Sequence, residues 1–287
     1  MLTPDELREL SRLRVLLGRR VDSVFAGDYR SAVRGRGMEF DEVRAYQPGD
    51  DVRHLDWNVT ARSGQPFVKQ FREERQNTVI LAVDVSASAR VGTGGRDGRT
   101  DRRLQMARIA GSLAWAGIRN RDRIGLLTFS DRVERWLSPR AHKNHVWSVI
   151  RTVYEAEAAG RGTNLTEALG FLSRAQRRRA VIVVVSDFLD DGPWQRLLGS
   201  LARRHELHAL LVHDPLDEGV RGLGLVDVED VETGEVALVD GALWGAYAAK
   251  TRLESLTRAG ARASAIGTRD DVWAALHAHF LRQAHTR

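Results

Sequence analysis

The sequence predicts an α/β fold built on a doubly wound, mostly parallel sheet of Rossmann type, preceded by an irregular or β-rich N-terminal extension. Three observations predict it. Short runs of β-branched and aliphatic residues, Val79–Val83 and Ala180–Ser186, carry no polar alternation, as strands buried on both faces do. Segments between such runs place apolar residues at helical spacing. The chain of 287 residues, 43% hydrophobic and 29% charged, is long enough to bury a core without cross-links. Periodicity is poor before residue 77. The extension is therefore assigned to residues 1–76, and the sheet domain with its closing helix to residues 77–287.

In the extension, Thr3-Pro4-Asp5-Glu6 reads as a helix start, with Thr as N-cap and Pro at the first helical position. Leu7, Leu10, Leu13 and Leu17 follow at helical spacing. From Gly18 to Gln76 glycines and prolines interrupt the periodicity, leaving short extended pieces around Phe67–Phe71 in an irregular or small β-rich segment. In the sheet domain, Thr100-Asp101 opens a helix with Leu104, Ala107, Ala110, Leu113, Ala114 and Ile118 on its inner side. Arg123–Phe129 is a strand and Val133–Leu137 a short edge strand. His142–Glu157 is a helix that turns Val146, Val149, Ile150 and Val153 inward, and Asn164 caps a helix running to Arg178. Then follow strand Ala180–Ser186, helix Pro193–Arg204 and strand Glu206–His213. A hairpin spans Leu225–Asp240, turning at Thr233-Gly234. Helix Ala242–Ala259, strand Ala261–Ile266 and helix Asp270–Gln283 complete the chain.

Composition narrows the chemistry. With no cysteine, disulfides, thiol nucleophiles, iron–sulfur clusters and thiolate zinc sites are excluded. The longest apolar run, Ala180–Val185, is far shorter than the roughly 20 residues a membrane-spanning helix needs. The first twenty residues are charged throughout and have no signal-peptide core, so a cytoplasmic location is expected. The formal net charge is +6, and only Lys69, Lys143 and Lys250 are lysines. Acids are interspersed among the arginines, which speaks against a nucleic-acid surface. The Gly-rich stretch Val91–Arg99 lacks the lysine and spacing of a phosphate-binding loop. His142 and His145 have no third ligand beside them, and no Gly-x-Ser-x-Gly elbow occurs. The seven tryptophans are dispersed, as packing residues are.

The sharpest pattern ends the first strong strand: Asp84-Val85-Ser86-Ala87-Ser88. In a doubly wound sheet, ligands bind beyond the carboxyl ends of the strands. A carboxylate and two hydroxyls are hard oxygen donors suited to Mg²⁺ or Mn²⁺. Further donors stand where other elements meet the same end: Thr163 in a loop that opens a helix, and Asp187 directly after a strand. Asp84, Ser86, Ser88, Thr163 and Asp187, in this order, resemble the metal-ion-dependent adhesion site of von Willebrand factor A domains. The resemblance covers roughly Thr78 to Ile266. It implies that the hydroxyls contact the metal, some ligands acting through water, and that one position stays open for a partner's carboxylate. It implies recognition rather than catalysis, so the protein is expected not to be an enzyme. The alternative is a Mg²⁺-dependent phosphatase or other hydrolase using Asp84 and Asp187.

A second pattern lies in the extension: Phe40, Val43-Arg44, Tyr46, Pro48-Gly49-Asp50-Asp51, Arg53, Asp56-Trp57 and Arg62. Pro48-Gly49-Asp50 is a turn, and the alternating arginines and aspartates suggest charge-assisted hydrogen bonds. This string resembles the signature that precedes the A-like domain in a bacterial family known as domain of unknown function 58. Genes of that family commonly neighbour MoxR-type AAA+ ATPases. The resemblance therefore implies such an ATPase, or its client, as partner, in assembly, maturation or metal-loading of other proteins. Arg44, Tyr46, Asp50, Asp51, Arg53, Asp56, Trp57 and Arg62 become candidates for partner binding or for holding the segment's shape. Many members carry two N-terminal membrane spans, and this sequence shows none.

Overall fold

The computed structural model describes residues 38–73, 77–90, 102–160, 162–218, 224–229, 234–240 and 249–284. The helix expected after Thr3, the Gly-rich stretch at 91–99, the helix opening at Thr100-Asp101 and the hairpin turn at Thr233 lie outside the described residues. So does the first part of the helix expected from Ala242.

Strand β1 (Met38–Ala45) pairs antiparallel with β2 (Phe67–Glu73), and α1 (Trp57–Ser63) lies between them in sequence. Neither β1 nor α1 has a periodic signature. Local hydrogen bonds make both: the β1 ladder is completed by β2, and Asp56 caps α1 by accepting from the Asn58 and Val59 amides. Gly64, at φ +70°, ends α1 in the left-handed conformation that a glycine adopts without steric cost.

The main sheet contains β3 (Thr78–Asp84), β4 (Arg123–Phe129), β5 (Val133–Arg140), β6 (Val181–Ser186), β7 (Glu206–His213) and β10 (Arg262–Gly267). Their order is β10-β7-β6-β3-β4-β5. All neighbours are parallel except β5, which runs antiparallel along the β4 edge. β3 is the first of these strands and sits in the middle. The chain fills one side with β4 and β5, then crosses to the other with β6. The topological switch point, where such sheets place ligands, therefore lies between the ends of β3 and β6. A separate hairpin joins β8 (Leu225–Glu229) to β9 (Val236–Asp240).

Side chains of β3 alternate between two cores. Val79, Leu81 and Val83 pack with α2 (Arg102–Arg119), α3 (Lys143–Tyr154) and α7 (Val272–Ala284). Ile80 and Ala82 pack with α4 (Leu165–Ala175), α5 (Trp194–Arg204) and α6 (Ala249–Arg258) on the opposite face. Helices on both faces explain why the strands read as unbroken apolar runs.

Most expected elements are present, with some boundaries moved. β5 reaches Arg140 because the antiparallel pairing with β4 continues to Ile124. α4 stops at Ala175, three residues before Arg178, because Gln176 is already extended on the way to β6. His142 and His145 are structural: His142 caps α3 by accepting from the Asn144 amide, and His145 Nε2 lies 2.8 Å from the Ile124 carbonyl oxygen.

A buried polar chain fastens α7 to the sheet. His208 Nδ1 on β7 lies 2.8 Å from His279 Nε2 on α7, and His279 Nδ1 lies 2.6 Å from Ser264 Oγ on β10. Burial first, then the neighbouring His208, Arg282 and Arg262, hold His279 well below the ordinary histidine value. The folded state thus refuses a proton that the unfolded chain accepts below about pH 6.5, so this contribution is complete above that pH and declines below it. His279→Asn cannot take that proton. It is expected to be less stable than wild type at pH 7.5 in urea unfolding, with the difference narrowing as the pH falls to 5.

Candidate metal centre

Asp84 is the last residue of β3 and is fully buried; Asp187 directly follows β6 and is 1% exposed. Parallel pairing of β3 with β6 runs to Val83 beside Val185, so Ser186 lies next to Asp84, and Asp187, one residue on, acts on Asp84 through its charge at the switch point. Asp84 accepts from the Ser86 amide at Oδ1, 2.9 Å away, and from the Ser186 hydroxyl at Oδ2, 2.7 Å away. Burial, and then the Asp187 charge, push the Asp84 carboxyl up to about 7, against the pull of those hydrogen bonds.

Beyond Asp187 the chain turns sharply. Phe188 adopts φ +55°, an uncommon conformation for a bulky residue. Its amide donates to Ser186 Oγ, the Leu189 amide donates to Asp187 Oδ1, and its ring packs near Trp194. The surroundings thus hold a strained turn that keeps Asp187 at the strand end. Its Oδ2 atom is buried and receives no hydrogen bond.

Ser86 and Ser88 complete the near side, their hydroxyl oxygens 3.0 Å apart. Ser86 is fully buried, whereas Ser88 is half-buried. Thr163 is half-buried in the loop that opens α4. That loop is pinned to this end of the sheet on both sides: the Asn164 amide donates to the Ser130 carbonyl after β4, and the Leu165 amide to Asp190 Oδ2 beyond β6. Just upstream, a Cβ on Gly160 would lie 2.0 Å from Asp131 Oδ1, so only glycine lets the loop approach this closely.

Three arginines close around the pair. Arg102 Nη1 donates to the Ser88 carbonyl at 3.1 Å and lies 3.7 Å from Asp187 Oδ2, while Nη2 donates to Asp217. Arg103 Nη2 donates to the Val85 carbonyl at 2.8 Å. Arg252 Nη1 on α6 donates to the Asp187 carbonyl at 2.6 Å.

The donor set fits a hard divalent ion. It offers carboxylate and hydroxyl oxygens only, with one buried carboxylate oxygen that has no hydrogen to accept. Asp84, Ser86, Ser88 and Asp187 would hold such an ion, with Thr163 in the loop at the same end of the sheet, and the ion would supply a strong local positive charge for an oxygen ligand. The sequence alone does not single out Ser186, Arg102, Arg252 or Asp217. One signal was available for Arg102 and Arg103: two cations at a helix start oppose the helix dipole, so they point to acceptors in the tertiary structure.

The signature residues of the extension form a second, separate group. Gln47-Pro48-Gly49-Asp50 is a turn closed by the Asp50 amide on the Gln47 carbonyl, with Gly49 at φ +109°. Arg44 grips Asp50 with both terminal nitrogens, at 2.8 and 2.7 Å. Asp51 pairs with Arg53, two residues on, and Lys69 lies 3.5 Å from Asp56. The Tyr46 amide donates to the Pro66 carbonyl. Arg62 is exposed in the last turn of α1, and Trp57 is 70% exposed at its start. These contacts shape a turn and a helix cap, and they leave the Trp57 ring in solvent.

A model of the family described as "Protein of unknown function DUF58" matches residues 42–257, spanning both groups. The chain belongs to this family. An uncharacterized protein of Mycobacterium tuberculosis strain H37Rv is 35% identical over 230 residues, covering 79% of this chain and 71% of that protein. A conserved hypothetical protein BatB from Bacteroides thetaiotaomicron matches in structure with TM-score 0.52 and 17% identity, over 73% of this chain and 99% of that one. An aerotolerance-related membrane protein from Bacteroides fragilis matches with TM-score 0.51 and 16% identity, over 74% of this chain and all of that one. At these identities the structural matches show the fold alone, a six-stranded and mainly parallel sheet flanked by helices. No helix among the described residues is long and apolar enough to cross a membrane.

The raised Asp84 value predicts a pH dependence. Folded Asp84 keeps its proton up to about pH 7, whereas the unfolded residue releases it near 3.8. Its contribution is therefore complete below 3.8 and is lost as pH rises through 7. With metal removed by EDTA, Asp84→Asn is expected to be more stable than wild type above pH 7, by about 2–4 kcal/mol. Urea unfolding across pH 4–8 checks this: the advantage should fade towards pH 4.

Proposed function

We propose that this DUF58 chain is a non-enzymatic, cytoplasmic protein-interaction module that presents a divalent metal, Mg²⁺ or Mn²⁺, to a carboxylate of a partner protein. The observation that carries the reading is the buried Asp84–Asp187 pair at the switch point, flanked by Ser86 and Ser88, with Asp187 Oδ2 lacking a hydrogen bond. The resemblance to von Willebrand factor A domains supports protein interaction as the role. Around the pair, contacts among the described residues come from serine hydroxyls, backbone amides and guanidiniums. Such groups hold charge and geometry. None of them is an imidazole or third carboxylate placed to carry a proton for a reaction.

The partner in this reading is a MoxR-type AAA+ ATPase or its client, and the work is assembly or maturation of other proteins. The family resemblance supports that choice. The exposed Trp57 beside the charge-capped turn offers a second contact surface on the same chain, because an exposed tryptophan on an ordered helix start is a favourable anchor for a partner.

Calorimetric titration with Mn²⁺ should show one site in wild type and none in Asp84→Ala, with circular dichroism unchanged. Capture of the MoxR-type ATPase from the same organism should require metal and be lost with EDTA or in Asp84→Ala. Capture that survives both treatments would remove the metal bridge from the mechanism and leave the Arg44–Arg62 segment as the docking surface.

A further inference from the structure

Four chain segments meet over the metal centre through one side chain. Arg102, the first described residue of α2, reaches the Ser88 carbonyl after β3, Asp187 after β6, and Asp217 in the 3₁₀ turn Pro215–Glu218 after β7. The Arg102 side chain is only 4% exposed, and Asp187 only 1%. A buried charge needs a partner, and here the partners differ in kind. Asp217 receives a direct hydrogen bond from Nη2. Asp187 Oδ2 receives none, lying 3.7 Å from Nη1, beyond hydrogen-bond length but well inside ion-pair range. Asp217 is itself held in its turn, its Oδ2 accepting from the Asp214 amide at 2.9 Å.

We propose that Arg102 is a resident counter-cation of this site: it offsets Asp187 when the metal is away, opposes the metal by like charge, and is held back by Asp217. This rests on the metal-centre reading and names what sets the affinity of that centre. A divalent ion held by Asp187 would share that carboxylate with the Arg102 guanidinium, whose Nη1 lies 3.7 Å from Asp187 Oδ2, and the buried setting would screen their repulsion little. Asp217 moderates that repulsion by balancing Arg102. The two residues should thus move metal affinity in opposite directions, an outcome that a merely structural role for either would not produce.

The test is Mn²⁺ binding by calorimetry, with metal-induced change in Tm as a second readout, on full-length wild type, Arg102→Met and Asp217→Asn. Arg102→Met is expected to bind Mn²⁺ at least tenfold more tightly and to show a larger rise in Tm on metal addition. Without metal its Tm should fall, because Asp187 loses its counter-charge. Asp217→Asn is expected to bind at least fivefold more weakly, and it decides the matter alone if Arg102→Met does not fold. If wild type binds Mn²⁺ and the folded variants bind equally well, or both shift in the same direction, the counter-cation role is overturned while the metal centre stands. If neither wild type nor variants bind Mn²⁺ at millimolar concentration, the metal centre itself fails, and the counter-cation with it.

Discussion

Asp84 and Asp187 put two interacting carboxyl groups where almost no water reaches. Much of the surrounding structure answers that fact. The Asp84 carboxyl is pushed up towards neutrality and takes hydrogen bonds from Ser86 and Ser186. Arg102 approaches Asp187 from the start of α2, and Arg252 donates to its carbonyl from α6. Buried like charges are unfavourable unless paired or shared with a cation. The ends of β3, β6 and β7 and the starts of two helices are accordingly organised around electrostatics rather than packing.

The rest of the sheet domain supplies the rigidity this requires. β3 and β6 lie buried between two helical layers, each with its own apolar cluster. Because strands in such a sheet cannot slide without moving both cores, the spacing of Asp84 and Asp187 is a property of strand register. Some polar groups within this core are joined in specific chains, such as His208, His279 and Ser264.

The β1–β2 segment is built on a different principle. Among its described side chains Val68 is the only buried hydrophobic residue, so packing alone is a weak account of its order. Instead Asp50 is clasped by Arg44, Asp56 caps α1, and Thr60 Oγ1 accepts from the Phe67 amide. The family model spans this segment and most of the sheet domain together.

The sequence by itself determined the sheet domain. Unbroken apolar runs such as Val79–Val83 are legible because burial on both faces leaves no other composition, and strand ends follow from the polar residues that stop each run. Five candidate donors were legible for the same reason, since Asp84, Ser86, Ser88, Thr163 and Asp187 all stand at such ends or at helix starts. The sequence did not disclose β1 or α1, whose hydrogen bonds depend on partners such as Phe67–Glu73 and the Asp56 cap rather than on periodicity. Nor did it disclose Ser186, Arg102, Arg252 and Asp217 as neighbours of the pair. Their proximity arises when β3, β6, β7 and two helix starts converge, over separations of up to 115 residues, and local pattern carries no record of such contacts. Tertiary structure alone decided that the candidate metal centre comes with a cation already beside it.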